Sequence, residues 1–169
     1  MNTVILKWNP AFSSYTIGHY LSDLYKVINF KEFDYNWSVW DHDKIHTGDR
    51  VFWVKLGFGQ VGIVASGSIT SEPYQDEDWS GHGRETYYVD FKPDVMINPD
   101  TLPILTSQDL TARIPDFDWY RGHSGLVLNE HQAATLESVW HEFLTRNQGY
   151  WQKALEARGR DQLWMEKKI

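Results

Sequence analysis

The side chains best suited to chemistry in this sequence are aromatic. Asn36-Trp37-Ser38-Val39-Trp40-Asp41 places two indoles three residues apart in a polar stretch that suits no regular amphipathic face. A flat base or a cationic group can be clamped between such rings, each stacking contact contributing about 1–3 kcal/mol. Two Trp so placed can equally plug the open end of a barrel, and residue types alone leave both readings open.

Other constellations are weaker. His42 and His46 stand four apart, a spacing that binds metal from one helix face, but Gly48 and the turn composition argue against a helix there. Ser124, His123 and Asp116 or Asp118 hold the residue types of a nucleophilic triad. Neighbouring Ser and His side chains point apart in a strand, however, and no G-x-S-x-G accompanies them. Gly57-Phe58-Gly59-Gln60-Val61-Gly62 matches G-x-G-x-x-G, yet strand-like residues follow it where a dinucleotide site needs a helix. A glycine-rich hairpin turn is the expectation. Asp76-Glu77-Asp78 reads as a solvated loop face. No metal site, cofactor or covalent step is expected.

Composition sets the bounds. The 169 residues fit one domain, and no apolar run reaches membrane-spanning length. The first residues lack the pattern of a signal peptide, and with zero Cys the expected location is cytoplasmic. Net charge is −7; residues 145–169 carry 6 basic and 3 acidic side chains, leaving 10 and 20 for residues 1–144. Nonspecific duplex binding favours a basic face, so any nucleic-acid contact must be local. Nine Trp, 9 Tyr and 8 Phe make aromatic rings the compositional outlier.

The elements that must position these rings follow from periodicity. Thr3–Trp8 reads as a first strand. Ile17, Leu21, Leu24 and Ile28 recur at helical spacing, giving a helix near 16–28 capped by Ser14 or Thr16. Residues 29–48 read as irregular. Arg50–Leu56 and Val61–Ile69 form a hairpin, residues 71–85 a long acidic loop, and Thr86–Val95 a strand that alternates until Pro93. A short helix is expected near Ser107–Ala112 and a last strand at Ser124–Leu128. A second long helix spans about 129–144, with Asn129 and Gln132 as a capping box and Ala133, Leu136, Val139, Trp140 and Phe143 as its apolar stripe. The charged residues 145–169 are expected to extend the same domain helically. Strands in the middle with helices around them predict an α+β fold.

In that order, Asn36-Trp37-Ser38-Val39-Trp40, Gly48-Asp49-Arg50-Val51-Phe52-Trp53 and Gly62-Ile63-Val64-Ala65-Ser66-Gly67-Ser68-Ile69 resemble the EVE domain of the PUA-like superfamily. That family carries an Asn- or Trp-containing segment, a G-D-x-V-x-F strand and a G-I-V-G-x-G/A strand. The related YTH domains place one Trp before the second strand and another after the third; Trp40 corresponds to the first and Trp79 to the second. The resemblance covers residues 3–144.

It implies a curved, partly closed β-barrel flanked by helices, with a pocket at one mouth. It also implies binding of a modified base in DNA or RNA, turned out of its stack and held among aromatic rings. Trp40 and Trp79 would be walls, with Trp37, Trp8 or Trp119 as a third. Asn9, Asn36 and Ser38 would meet the polar edge. Lys7, Lys44, Arg50, Lys55, Arg84 and Arg121 would contact phosphate. Asp76-Glu77-Asp78 beside Trp79 opposes a phosphate backbone, so a free nucleoside or short single strand suits the charge better. A small-molecule or protein-interaction module is the alternative. An enzyme of the related ASCH type would recruit Lys7, Lys55 or Lys92, but no matching Thr and Glu set stands out. The expectation is a binding module, not an enzyme.

Overall fold

Every residue of β1 (Thr3–Trp8) is buried, because β1 lies between two other strands. A strand covered on both faces reads as a nearly continuous apolar run rather than an alternating one. A computed structural model describes residues 1–28, 35–77 and 85–148. In it β1 is followed by α1 (Ile17–Ile28), β2 (Tyr35–Ser38), β3 (Arg50–Lys55), β4 (Gly62–Ile69), β5 (Tyr74–Glu77) and β6 (Glu85–Met96). Then come β7 (Leu105–Thr106), α2 (Ser107–Arg113), β8 (Leu126–Val127) and α3 (Glu130–Arg146).

The strands make one mixed sheet in the order β2-β6-β4-β3-β1-β8, with β5 paired to β6 and β7 to β4. The β1–β3 pairing is parallel; the other described pairings are antiparallel. The two ends of the order meet at a short seam. Trp40 N donates to Ser124 O at 2.9 Å and Asp41 N to Gly125 O at 3.0 Å. Val127 N donates to Asp41 Oδ2 at 2.9 Å. Residues just after β2 thus bond residues just before β8, and the curved sheet closes part-way into a barrel flanked by helices.

Both long helices begin where the caps predict. Thr16 Oγ1 accepts from His19 N at 3.2 Å, while Thr16 N donates to His19 Nδ1 at 3.2 Å. Asn129 and Gln132 form the expected reciprocal box. The Tyr20 hydroxyl ties α1 to the sheet at Ile97 O, 2.7 Å away. Leu136, Val139, Trp140 and Phe143 bury the expected face of α3.

Two readings need correction. Residues 29–48 are not wholly irregular, since Tyr35–Ser38 is β2, paired with β6. The acidic stretch after residue 71 contains β5, an exposed strand also held by β6. β6 runs through Pro93, as the reading of Thr86–Val95 as a strand has it; its register against β4 shifts at Ser66/Gly67, where Val95 and Pro93 are successive partners. Asp94 is the residue left out of the register, so Pro93 sits beside a bulge, a place where a strand tolerates a proline. β7, too short to give a periodic signal, goes unseen in the sequence.

Candidate functional site

β2 and β3 bring aromatic rings together from opposite sides of the sheet path. Alternation along β2 turns Tyr35 and Trp37 toward the same neighbour, and each lies 5.1 Å from the Trp53 ring on β3. Trp8 at 5.3 Å, Tyr20 and Phe91 at 5.5 Å and Tyr15 at 5.7 Å complete the surround. Trp53 is 1% exposed, and its indole N–H has no acceptor among the described residues. It acts as an apolar hub that fixes the rings around it.

Those rings form one side of a cavity of about 660 Å³. Trp8, Tyr15, Tyr35 and Trp37 line it, joined by Phe12 from the 9–15 loop and Tyr88 from β6. The indole N–H groups of its two Trp are satisfied within the protein: Trp8 donates to Tyr15 O at 2.7 Å and Trp37 to Lys7 O at 3.2 Å. Both rings are therefore held in place; Trp8 is buried against Tyr15, Tyr20 and Trp53, whereas partly exposed Trp37 can offer ring surface for stacking.

Polar groups interrupt this apolar lining. Asn9, Asn36, Ser38 and Ser124 reach it, as do Asp23 from α1 and Asp90 from β6. The Tyr15 hydroxyl donates to Asp23 Oδ2 at 2.6 Å and lies 3.2 Å from the Tyr35 hydroxyl. Burial raises the Tyr15 and Tyr35 phenols well above the ordinary range, so both stay neutral and able to donate. Tyr74 donates to Asp90 Oδ1 at 2.7 Å, and its phenol is pushed up to about 12, chiefly by burial and then by that hydrogen bond.

The structure separates the residues singled out in the sequence. Asn9, Asn36, Trp37 and Ser38 converge on the cavity, together with Lys7 and Trp8. Trp40 is not among the lining residues: it is 59% exposed at the seam and stacks on His123 with ring centres 3.7 Å apart. Trp119 is no wall, being fully buried with its N–H on Ile114 O at 3.1 Å. Trp79 and Arg84 lie outside the described residues. Tyr15, Asp23, Tyr35, Tyr88 and Asp90 escaped the sequence reading. Alternation from Trp37 points to Tyr35, whereas Tyr15 and Asp23 reach the cavity only through the docking of α1.

The basic residues also divide. The Lys7 ammonium is buried, donates to Arg121 O and sits 4.9 Å from the Phe117 ring centre. Burial lowers its pKa, opposed by the nearby Asp118 carboxylate. Lys55 stitches the glycine hairpin, donating to Phe58 O at 2.5 Å and Gln60 O at 3.0 Å. Arg50 is engaged by Asp94 and Glu137, each at 2.8 Å. These three cations are thus engaged within the protein, Arg50 through its Nε and Nη1. Lys44 and Arg121 are exposed.

His42 and His46 do not converge. His42 opens a short 3₁₀ turn and stacks on Tyr87 at 3.6 Å, while exposed His46 pairs with Glu72 at 2.9 Å. Among the described residues no group of three or more His, Cys, Asp or Glu is arranged to hold a metal. No helix among them is long and apolar enough to cross a membrane.

No family profile matches the chain, and no curated protein matches it. Solved structures do. A hypothetical protein from Leishmania major aligns with a TM-score of 0.52 at 15% identity, over 84% of this chain and 96% of that one. A protein from Pseudomonas syringae gives 0.53 at 14% identity, over 81% and 98%. The Mmi1 YTH domain, solved in complex with RNA, gives 0.50 at 10% identity, over 86% and 81%. At such identities the likeness is one of fold. The chain has the PUA-like α+β architecture, a curved and partly closed barrel flanked by helices.

Proposed function

We propose that the cavity holds a modified, flipped-out nucleobase of DNA or RNA, and that the chain is a binding module with no covalent step and no cofactor. The observation that carries this reading is the cavity itself, about 660 Å³ and walled by Trp37, Trp8 and Tyr15. A base out of its stack exposes two π faces and a hydrogen-bonding edge, so it needs ring surfaces and a few polar groups. Trp37 supplies the stacking face, and Asn9, Asn36 and Ser38 meet the edge. Trp40, whose backbone N bonds the cavity-lining Ser124, would take a flanking base on the ring face that His123 leaves uncovered. Of the candidate cations among the described residues, Lys44 and Arg121 are exposed and would contact phosphate. The RNA complex of the YTH domain with the same fold supports this reading.

Titration of short single strands by tryptophan fluorescence tests it. Strands bearing a modified base bind more tightly than unmodified ones. Trp37→Ala weakens binding by about 1–3 kcal/mol, the contribution of one stacking face, while far-ultraviolet dichroism stays unchanged. Equal affinity for modified and unmodified strands across a panel of modifications would contradict the proposal.

A further inference from the structure

The cavity wall is acidic as well as aromatic. Its charged lining residues are Lys7, Asp23 and Asp90. The Lys7 ammonium is engaged outside the cavity, by Arg121 O and the Phe117 ring, neither of which belongs to a lining residue. Asp23 is 8% exposed and accepts from the Tyr15 hydroxyl at 2.6 Å; the half-exposed Lys26 ammonium reaches it at 3.2 Å. Asp90 is partly exposed. Its Oδ1 accepts from Tyr74 at 2.7 Å, and its Oδ2 has no hydrogen-bond or ion partner among the described residues.

A carboxylate only accepts hydrogen bonds. Beside ring faces, whose quadrupoles attract positive charge, such a wall disfavours carbonyl oxygens and favours N–H donors and cations. We infer that the pocket selects a cationic base, one methylated on a ring nitrogen so that the ring is positively charged at neutral pH, over neutral modified bases. This rests on the nucleobase reading above. The acidic balance of the chain, which opposes a long phosphate backbone, favours the same ligand class.

Two pairs of isomeric nucleosides separate charge from size: 3-methylcytidine against 5-methylcytidine, and 1-methyladenosine against N6-methyladenosine. The first of each pair is cationic at pH 7. Calorimetric titration at low salt gives tighter binding of the cationic isomer in both pairs, by about tenfold. Asp90→Asn removes most of that preference, read as the ratio of affinities for the two isomers within each pair. The Asn side-chain oxygen can still accept from Tyr74, so the variant keeps that hydrogen bond. Equal or tighter binding of the neutral isomers overturns this inference and leaves the nucleobase reading standing. A preference untouched by Asp90→Asn overturns the part assigned to that carboxylate. Failure of every nucleoside and every modified strand to bind sinks both readings. Choline or a trimethyllysine peptide binding more tightly than all four nucleosides overturns the nucleoside assignment.

Discussion

Trp37 and Trp40 stand three residues apart and face different surroundings. An odd separation in extended chain sends side chains to opposite faces. Trp37 accordingly packs on Trp53, while Trp40 leaves the sheet at the seam and covers His123. The sequence made both visible as rings in a polar segment. It could not say which would face inward, because the alternation of Tyr35 and Trp37 with Asn36 and Ser38 runs over only four residues. His46 and Glu72 supply a prediction at this scale. Thr47 N and then His46 hold the Glu72 carboxylate down to about 2, and the Glu72 hydrogen bond raises the His46 imidazole. The depressed acid contributes fully above its ordinary value of 4.5 and is lost as pH falls toward about 2. The raised imidazole contributes fully below its ordinary 6.5 and is lost as pH climbs through its folded value. The pair is therefore complete between those two ordinary values. An NMR titration gives a His46 midpoint above 6.5 that falls in Glu72→Gln; a midpoint that ignores the substitution would refute the pairing.

Elements with a clean period were legible, and those fixed by tertiary contact were not. β1, β3, β4, α1 and α3 follow their apolar spacing and caps. β5 is exposed and acidic, and exists because β6 offers it a free edge. The seam that closes the barrel is equally hidden, since it rests on backbone bonds around Gly125. That residue has φ +81°, and a Cβ there would lie 2.3 Å from Val39 Cα. Gly125→Ala should therefore destabilise the protein by roughly 2–4 kcal/mol in urea unfolding, combining backbone strain with a clash that must displace Val39. Gly48 has φ +93° and open space around it, so Gly48→Ala should cost only about 1–2 kcal/mol, the conformational penalty alone. Equal losses in the two variants would mean that the seam does not depend on the close approach of Gly125 to Val39.

At the scale of the whole molecule, a Trp-rich composition is divided between scaffold and cavity. Trp53, Trp119 and Trp140 are buried in the core, whereas Trp8 and Trp37 line the cavity. Asn9, Asn36 and Ser38, to which the family resemblance pointed and which neighbour conspicuous indoles, line that cavity. The sequence reading missed Tyr15 and Asp23, which only the packing of α1 against the sheet brings to the same space. The central claim is that a planar base enters this cavity and stacks on Trp37. The most direct measurement is an amide and indole N–H NMR map of the protein as a modified single strand is added. The account predicts displacement of the Trp37 indole resonance and of the Asn36 and Ser38 amides, with the Trp119 and Trp140 indoles unmoved. Saturable binding that leaves Trp37, Asn36 and Ser38 in place would contradict it.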